Sequence, residues 1–363
     1  MRAGMVLEAV CRIHRVSLLV VPLYASVGSS IPEYFQNLCQ RSTCVAPGEV
    51  CEEYRAQHFD AVHVFRLSAM PFARAYFAKA GFRCLDLDDI ESVTHRRLAA
   101  LYRMNGDDVQ ADATDAAARR YELLEGLAFR MVNRVYACSG HDRQALASRC
   151  PAEVAVLPNA VRAPAVVTPR LPDVFRFLFL GTLGYYPNHD AVRWFCSVIL
   201  PMIVGGARRA FEVEVAGRGG SDKLRATVIE SGARFVGEVP DVQPLYERCH
   251  AVIAPLRAGG GSRIKILEAF SYGRPVIATP AGVEGIEVTP GENILVQESA
   301  EAFAEACVQL MTDWDLGERL ARNARSLWQR AYSSEALQRT VSSLADFPTH
   351  PGSESSETPR APR

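Results

Sequence analysis

The chain has 363 residues, 48% of them hydrophobic and 22% charged, with a formal net charge of -1. That is enough for two average domains of ordinary globular composition, and it excludes collagen, a long coiled coil and wholesale disorder. A nearly neutral chain has no bulk field to hold a polyanion, so no nucleic-acid partner is expected and any cationic site must be local. Lysine is scarce: only Lys79, Lys223 and Lys265 occur among forty Lys and Arg residues.

The N-terminus, MRAGMVLEAVCRIHRVSLLVVPLYAS, has a basic start and an apolar run from Leu18 to Leu23. Glu8 and two arginines interrupt it, which argues against a secretory signal. No run approaches the roughly eighteen apolar residues of a membrane span. Ten cysteines are scattered without C-x-x-C pairs or zinc-type spacing, so no metal site is expected and they read as reduced cytosolic thiols. The expected location is cytoplasmic. Strands are predicted at Val16 to Val21, Ala61 to Phe65, Arg83 to Leu87, Arg134 to Cys138 and Val154 to Leu157. Helices are predicted at Pro71 to Ala80, His95 to Arg103 and Thr114 to Met131. Pro164, Pro169 and Pro172 mark a linker.

Alternation resumes with a strand at Arg176 to Leu180, a glycine turn, a helix at Asp190 to Ile203 and strands at Phe211 to Val215, Ala233 to Val236, Ala251 to Ala254 and Pro275 to Ala278. A helix near Val242 to Cys249 and another from Ser262 to Tyr272 lie between these strands. Helices at Ala300 to Arg330 and Ser334 to Leu344 follow. The pattern is α/β, with two doubly wound Rossmann-like domains facing a cleft. We expect an acceptor-side domain over 1–165, a linker over 166–173, a second domain over 174–333, a helix over 334–346 that crosses back to the first domain, and a disordered tail over 347–363.

The segment APLRAGGGSRIKILEAFSYGRPVIATPAG carries the strongest chemistry. A strand ends in Gly259, Gly260 and Gly261, and Ser262 stands where a helix N-cap belongs. Glycines allow close approach of backbone N–H groups, and a helix N-terminus attracts phosphate. Arg263 and Lys265 in the first turn oppose the helix dipole and make better sense with an anion between them. A diphosphate fits. Glu268, one turn on, is placed to accept hydrogen bonds from a ribose. A solvated helix face with an ion pair is the bland alternative.

The stretch from Phe175 to Val296 resembles the donor half of a GT-B glycosyltransferase of the family 4, or group 1, type. The carriers are FLFLGTLGYYPNHDAVRWFCSVILP, FEVEVAGRG, ARFVGEVPDVQPLYERCHAVIAPL and GGGSRIKILEAFSYGRPVIATPAGVEGI. LDLDDIES, RMVNRVYACSGHDRQAL and VLPNAV resemble acceptor-domain segments more loosely. The resemblance implies transfer of a sugar from a nucleotide-sugar donor, which is substrate rather than cofactor, to a glycan or lipid-linked acceptor. It also implies retention of configuration and no bound metal. It puts Gly181, Thr182 and Leu183 on the diphosphate with Arg263 and Lys265, and Arg218 and Gly219 near the nucleotide. Val236 and Gly237 fall near the base, and Glu268 on the ribose.

Three departures stand out. Gly260 occupies the position of the first glutamate of the family's E-x7-E, so that carboxylate's work falls to backbone amides, Glu284 or the other domain. The usual lysine after the first donor-domain strand is absent. The sequence opens in what reads as the first helix, with Gly4 the remnant of a loop, so an incomplete first sheet is expected. In LDLDDIES, clustered carboxylates raise one another's pKa, which makes Asp88 or Asp89 a candidate base, with helix capping as the alternative. Arg66 is a candidate for an acceptor phosphate, while His63 is expected to face the core. The aromatic and basic helix from Pro71 is a candidate for peripheral membrane contact; ordinary packing is the simpler reading. A donor-binding scaffold subunit remains the alternative to an active transferase.

Overall fold

Short runs rich in β-branched and aromatic residues form parallel strands covered by helices. The computed structural model describes residues 2–23, 30–164, 174–261 and 263–344. Ser262, the 166–173 linker and the 347–363 tail lie outside the described residues. The first-domain strands are β1 (Ser17–Val20), β2 (Arg41–Cys44), β3 (Phe59–Phe65), β4 (Ala80–Asp86), β5 (Arg134–Ala137) and β6 (Glu153–Val156). They divide into a parallel β1-β2 pair and a parallel sheet of order β3-β4-β5-β6. Among the described residues β1 pairs only with β2 and β3 only with β4, so the two groups of strands are not joined by ladder hydrogen bonds.

The second domain holds β7 (Phe175–Leu180), β8 (Phe211–Ala216), β9 (Arg234–Gly237), β10 (Ala251–Ala254), β11 (Val276–Ala278) and β12 (Leu295–Val296), ordered β12-β11-β10-β7-β8-β9. All its pairings are parallel. A parallel sheet buried on both faces needs near-continuous apolar strands, and FRFLFL shows why. Phe175, Phe177 and Phe179 pack with Phe195, Ile199 and Phe303 on one face, while Leu178 and Leu180 pack with Tyr246, Phe270 and Trp328 on the other. Trp328 also donates to the Val161 carbonyl at 3.2 Å.

Several local expectations are corrected. The predicted 71–80 helix is a short α-turn, Met70–Ala73, followed by a 3-10 turn, Arg74–Lys79. Tyr76 and Phe77 are buried there, so this aromatic face is spent inside the domain. The single helix expected over 300–330 is two, Ala300–Thr312 and Trp314–Ala331, because Asp313 stops one and caps the other by accepting from Leu316 N at 2.9 Å. The helix expected from Asp190 begins at Tyr186 and runs through a π-turn at Phe195–Ile199. His63, expected in the core, is exposed and stacks on Tyr136 with ring centroids 5.4 Å apart.

The helix Ser334–Leu344 packs against the helix Arg2–Cys11, with Leu337 and Val341 in one apolar cluster with Met5, Val6 and Ala9. No described helix is long and apolar enough to cross a membrane. None of the ten cysteines is in a disulfide.

Candidate active site

A cavity of about 280 Å³ opens at the carboxyl ends of β7 and β10, where ligands bind on open α/β sheets. Gly181, Thr182, Gly259, Gly260, Arg263, Lys265 and Glu268 line it, as do Tyr185 and Asn188. Close packing dictates the glycines. A Cβ on Gly181 would lie 2.8 Å from Lys265 Nζ, and one on Gly217 would fall on the Gly181 carbonyl oxygen.

Lys265 is a half-buried cation of this cavity, beside the more deeply buried Arg263. Its Nζ donates to Asn188 Oδ1 at 2.7 Å, and Asn188 Nδ2 passes the bond to the Thr182 carbonyl at 2.9 Å. The ammonium also sits 4.3 Å from the centroid of the Phe179 ring. Burial drives its pKa down to about 7, the Arg263 charge helps, and Glu268 opposes. Glu268 accepts a bond from the Tyr246 hydroxyl at 2.9 Å. Burial raises its pKa, against the pull of Tyr246 and Lys265. Both ionisable groups therefore rest on neutral partners inside a desolvated cavity.

Arg263 departs from expectation. The helix is Ile264–Ser271, and Arg263 is its N-cap residue rather than part of its first turn. Its guanidinium holds the glycine loop by donating to the carbonyls of Gly260, Gly261 and, at 3.0 Å, Ala281. Its Nε is buried without a partner.

The other expected donor residues divide. Leu183 is fully buried in the core, and the Gly181 and Leu183 amides are bound to the Ala216 and Arg218 carbonyls at 3.1 and 2.8 Å. Arg218 and Gly219 are exposed, Val236 packs on the core, and the Gly237 carbonyl accepts from Gly217 N at 2.8 Å. Leu183, Arg218, Gly219, Val236, Gly237 and Gly261 do not line the cavity, whereas Gly181 does.

The cavity is lined by the second domain alone; across the cleft from it stand the ends of β3 and β4 and the helix Glu91–Met104. Arg66 and Asp88 both adopt positive φ, 71° and 58°, uncommon for residues other than glycine. Their side chains bond at 3.0 and 2.6 Å. Behind them Arg2 Nε and Nη2 donate to Asp86 Oδ1 at 3.0 and 2.9 Å. Burial alone would raise the Asp86 pKa, but the Arg2 guanidinium holds it below its ordinary value.

Asp89 has no such arginine. It accepts from Thr94 Oγ1 at 2.7 Å, and burial pushes its pKa up to about 6. It stands directly against Gly260: a Cβ at 260 would fall on Thr94 Oγ1 and on both Asp89 carboxylate oxygens. Glycine at 260 is thus a steric requirement of this wall. Glu284 is taken up by Arg97, which also donates to the Gly259 carbonyl at 3.3 Å.

A second set of contacts bridges the cleft. Asn105 donates to Asp190 at 2.8 Å and to the Tyr186 hydroxyl at 2.9 Å, Arg257 donates back to Asn105 Oδ1 at 3.1 Å, and the Tyr102 and Tyr186 rings stack at 4.1 Å. Tyr186, Asn188 and Asp190 share one helix, so this bridge fixes the residue on which Lys265 rests. Sequence reasoning missed Asn188, Tyr246 and Thr94, whose partners are distant in the chain. Among the described residues no group of three or more His, Cys, Asp or Glu side chains is placed to hold a metal.

The two stacked sheet-and-helix units are those of the GT-B fold. The chain superposes on sucrose-phosphate synthase from Thermosynechococcus elongatus with a TM-score of 0.72 at 15% identity, covering 94% of this chain and 91% of that one. It superposes on Anabaena Alr3699/HepE, crystallised with UDP and glucose, at 0.68 and 14% identity over 94% and 95%. A lipopolysaccharide core biosynthesis mannosyltransferase, LpcC of Rhizobium leguminosarum bv. viciae, is 29% identical over 134 residues, 34% of this chain and 38% of that protein. The aligned stretches span less than half the length of the curated relatives. Residues 174–313 match the family described as glycosyl transferases group 1.

Proposed function

We propose that the protein transfers a sugar from a nucleotide-sugar donor to a hydroxyl of a glycan or lipid-linked saccharide, with retention of configuration and without a metal ion. The observation that carries this reading is Lys265: a half-buried ammonium on a neutral amide, one residue into a helix, facing a cavity walled by glycines. Such a charge is complete only with an anion, and a departing nucleoside diphosphate supplies one. As the bond between the anomeric carbon and the phosphate oxygen lengthens, negative charge grows on the leaving oxygens. Lys265 and the helix N-terminus stabilise it. Glu268, oriented by Tyr246, takes the ribose hydroxyls, and Arg263 keeps the glycine loop in place. LpcC, a mannosyltransferase by name, and HepE, seen with UDP and glucose, support a nucleotide-sugar donor.

Asp89 takes over the work of the carboxylate missing at Gly260, reaching the same spot from the other domain. With a pKa of about 6 it is ionised at neutral pH and able to hold a sugar hydroxyl or accept the acceptor's proton. Asp88, tied to Arg66, positions that turn. A donor-binding scaffold subunit, the alternative, rests on Gly260 and on the missing first strand, and the Asp89 carboxylate bears on the first of these alone.

The test is release of nucleoside diphosphate from a panel of UDP-, GDP-, ADP- and dTDP-sugars, with binding measured on the same samples. Slow hydrolysis of one donor, abolished in folded Lys265→Ala and Glu268→Ala variants, is expected. Tight binding without turnover toward any acceptor would favour the scaffold. Full activity in both variants would remove the site assignment.

A further inference from the structure

The helix Asp108–Phe129 is apolar on two opposite faces. Its inner face buries Ala111, Ala118, Ala128 and Phe129. Its outer face carries Val109, Leu123, Leu124 and Leu127, exposed at 79%, 72%, 51% and 63%. At 100° per residue these four lie in one stripe, on the side away from the inner face. A helix in a globular domain needs one apolar stripe, so the second has no role in folding.

The unpaired charges beside the leucines are basic, whereas the Val109 end of the helix carries the exposed Asp108. Glu122 pairs with Arg96, and Asp112 and Asp115 with Arg103. Arg119, Arg120 and Arg130 are exposed beside the leucines and have no acidic partner among the described residues. A second copy of this helix would bring like charges together. An anionic surface with an apolar interior matches both features, since leucines enter the acyl boundary while guanidinium groups reach lipid phosphates.

We propose that this stripe docks the protein on an anionic lipid bilayer. The placement also suits the acceptor. On the opposite face of the same helix, Glu125 accepts from Ser92 N at 2.9 Å and Ser92 Oγ at 2.6 Å, at the start of the helix that follows Asp89. One helix diameter, about 10–12 Å, then separates the bilayer from the acceptor edge of the cleft. This last point rests on the proposed function; docking itself does not.

The test is co-sedimentation of the full chain with phosphatidylcholine vesicles with and without phosphatidylglycerol, at low and high salt. Two triple variants accompany it, Leu123→Asn/Leu124→Asn/Leu127→Asn and Arg119→Gln/Arg120→Gln/Arg130→Gln, each checked for folding by circular dichroism. Binding is expected only with phosphatidylglycerol, reduced by salt, and at least about tenfold weaker in each variant. Donor hydrolysis in solution is expected to stay unchanged in both, which separates failure of docking from failure of the site. Absence of binding to the anionic vesicles, or equal binding by wild type and both variants, would overturn the proposal. So would a dimer that the leucine variant alone makes monomeric, with no vesicle binding, which would assign the stripe to self-association.

Discussion

On the wall of the cleft built by the first domain, buried carboxylates meet arginines: Asp86 is held by Arg2 and Asp88 by Arg66. On the wall built by the second domain, Lys265 and Glu268 rest on Asn188 and Tyr246, which are neutral. A buried charge closed by its opposite is part of the scaffold, whereas one left on a neutral partner is completed by something from outside. Asp89 lies on the first wall but is bonded to no arginine: it accepts from Thr94, and the Arg263 charge reaches it only through space.

Breaking the closed pair should have the largest effect on the fold. Asp86→Ala leaves the buried Arg2 with only Asp88, 3.9 Å away, as an ion-pair partner, so a loss of about 3 kcal/mol is expected in denaturant unfolding. The Asp86 pKa is depressed in the folded state, so its contribution is present above the ordinary carboxylate pKa. It is lost as pH falls through the lower folded value.

Lys265→Met should do the reverse. Between pH about 7 and the ordinary lysine value the unfolded chain keeps a proton that the folded one sheds, so wild-type stability rises with pH across that window. Below about pH 7 the cost of burying the ammonium is complete. The methionine variant should melt higher at neutral pH and lose that slope, while kcat/KM falls roughly 10²–10³-fold, the scale of a lost transition-state charge contact. A variant both less active and less stable would sink the idea that this charge awaits a ligand.

Asp89→Asn tests the exception. Wild-type turnover should rise as pH passes about 6 and then level off, whereas the variant should be at least about tenfold slower with a flat acid limb. A tenfold loss with the limb intact would make Asp89 a positioning residue. The smallest effect is protonic: binding of a nucleoside diphosphate near pH 8 should raise the Lys265 pKa and take up part of a proton. Calorimetry in buffers of different ionisation enthalpy reads that uptake, and none is expected from Lys265→Met.

The second domain was legible because its strands are buried on both faces and its glycines stand where close approach demands them. FRFLFL, AVIA and the Gly259–Gly261 loop carry those constraints locally. The first domain was less so. β2, with the sequence RSTC, shows no apolar run, since a strand with one neighbour needs little burial. The 70–79 segment has helical composition but breaks into a tighter turn to bury Tyr76 and Phe77. At the site, the helix was legible and its partners were not. Nothing near Lys265 in sequence points to Asn188, and nothing near Gly260 points to Asp89, because those contacts exist only once two sheets face each other. Arg263 was misread for a local reason: its N-cap position turns the guanidinium back onto the loop carbonyls.

The packing of the Ser334–Leu344 helix on the Arg2–Cys11 helix makes the second domain, in topology, an insertion within the first. A ribosome delivers the chain in one direction, so the first domain stays one helix short until residue 344 has emerged, while the whole sheet of the second is already available. Synthesis therefore makes every strand of the second domain available before the last helix of its neighbour.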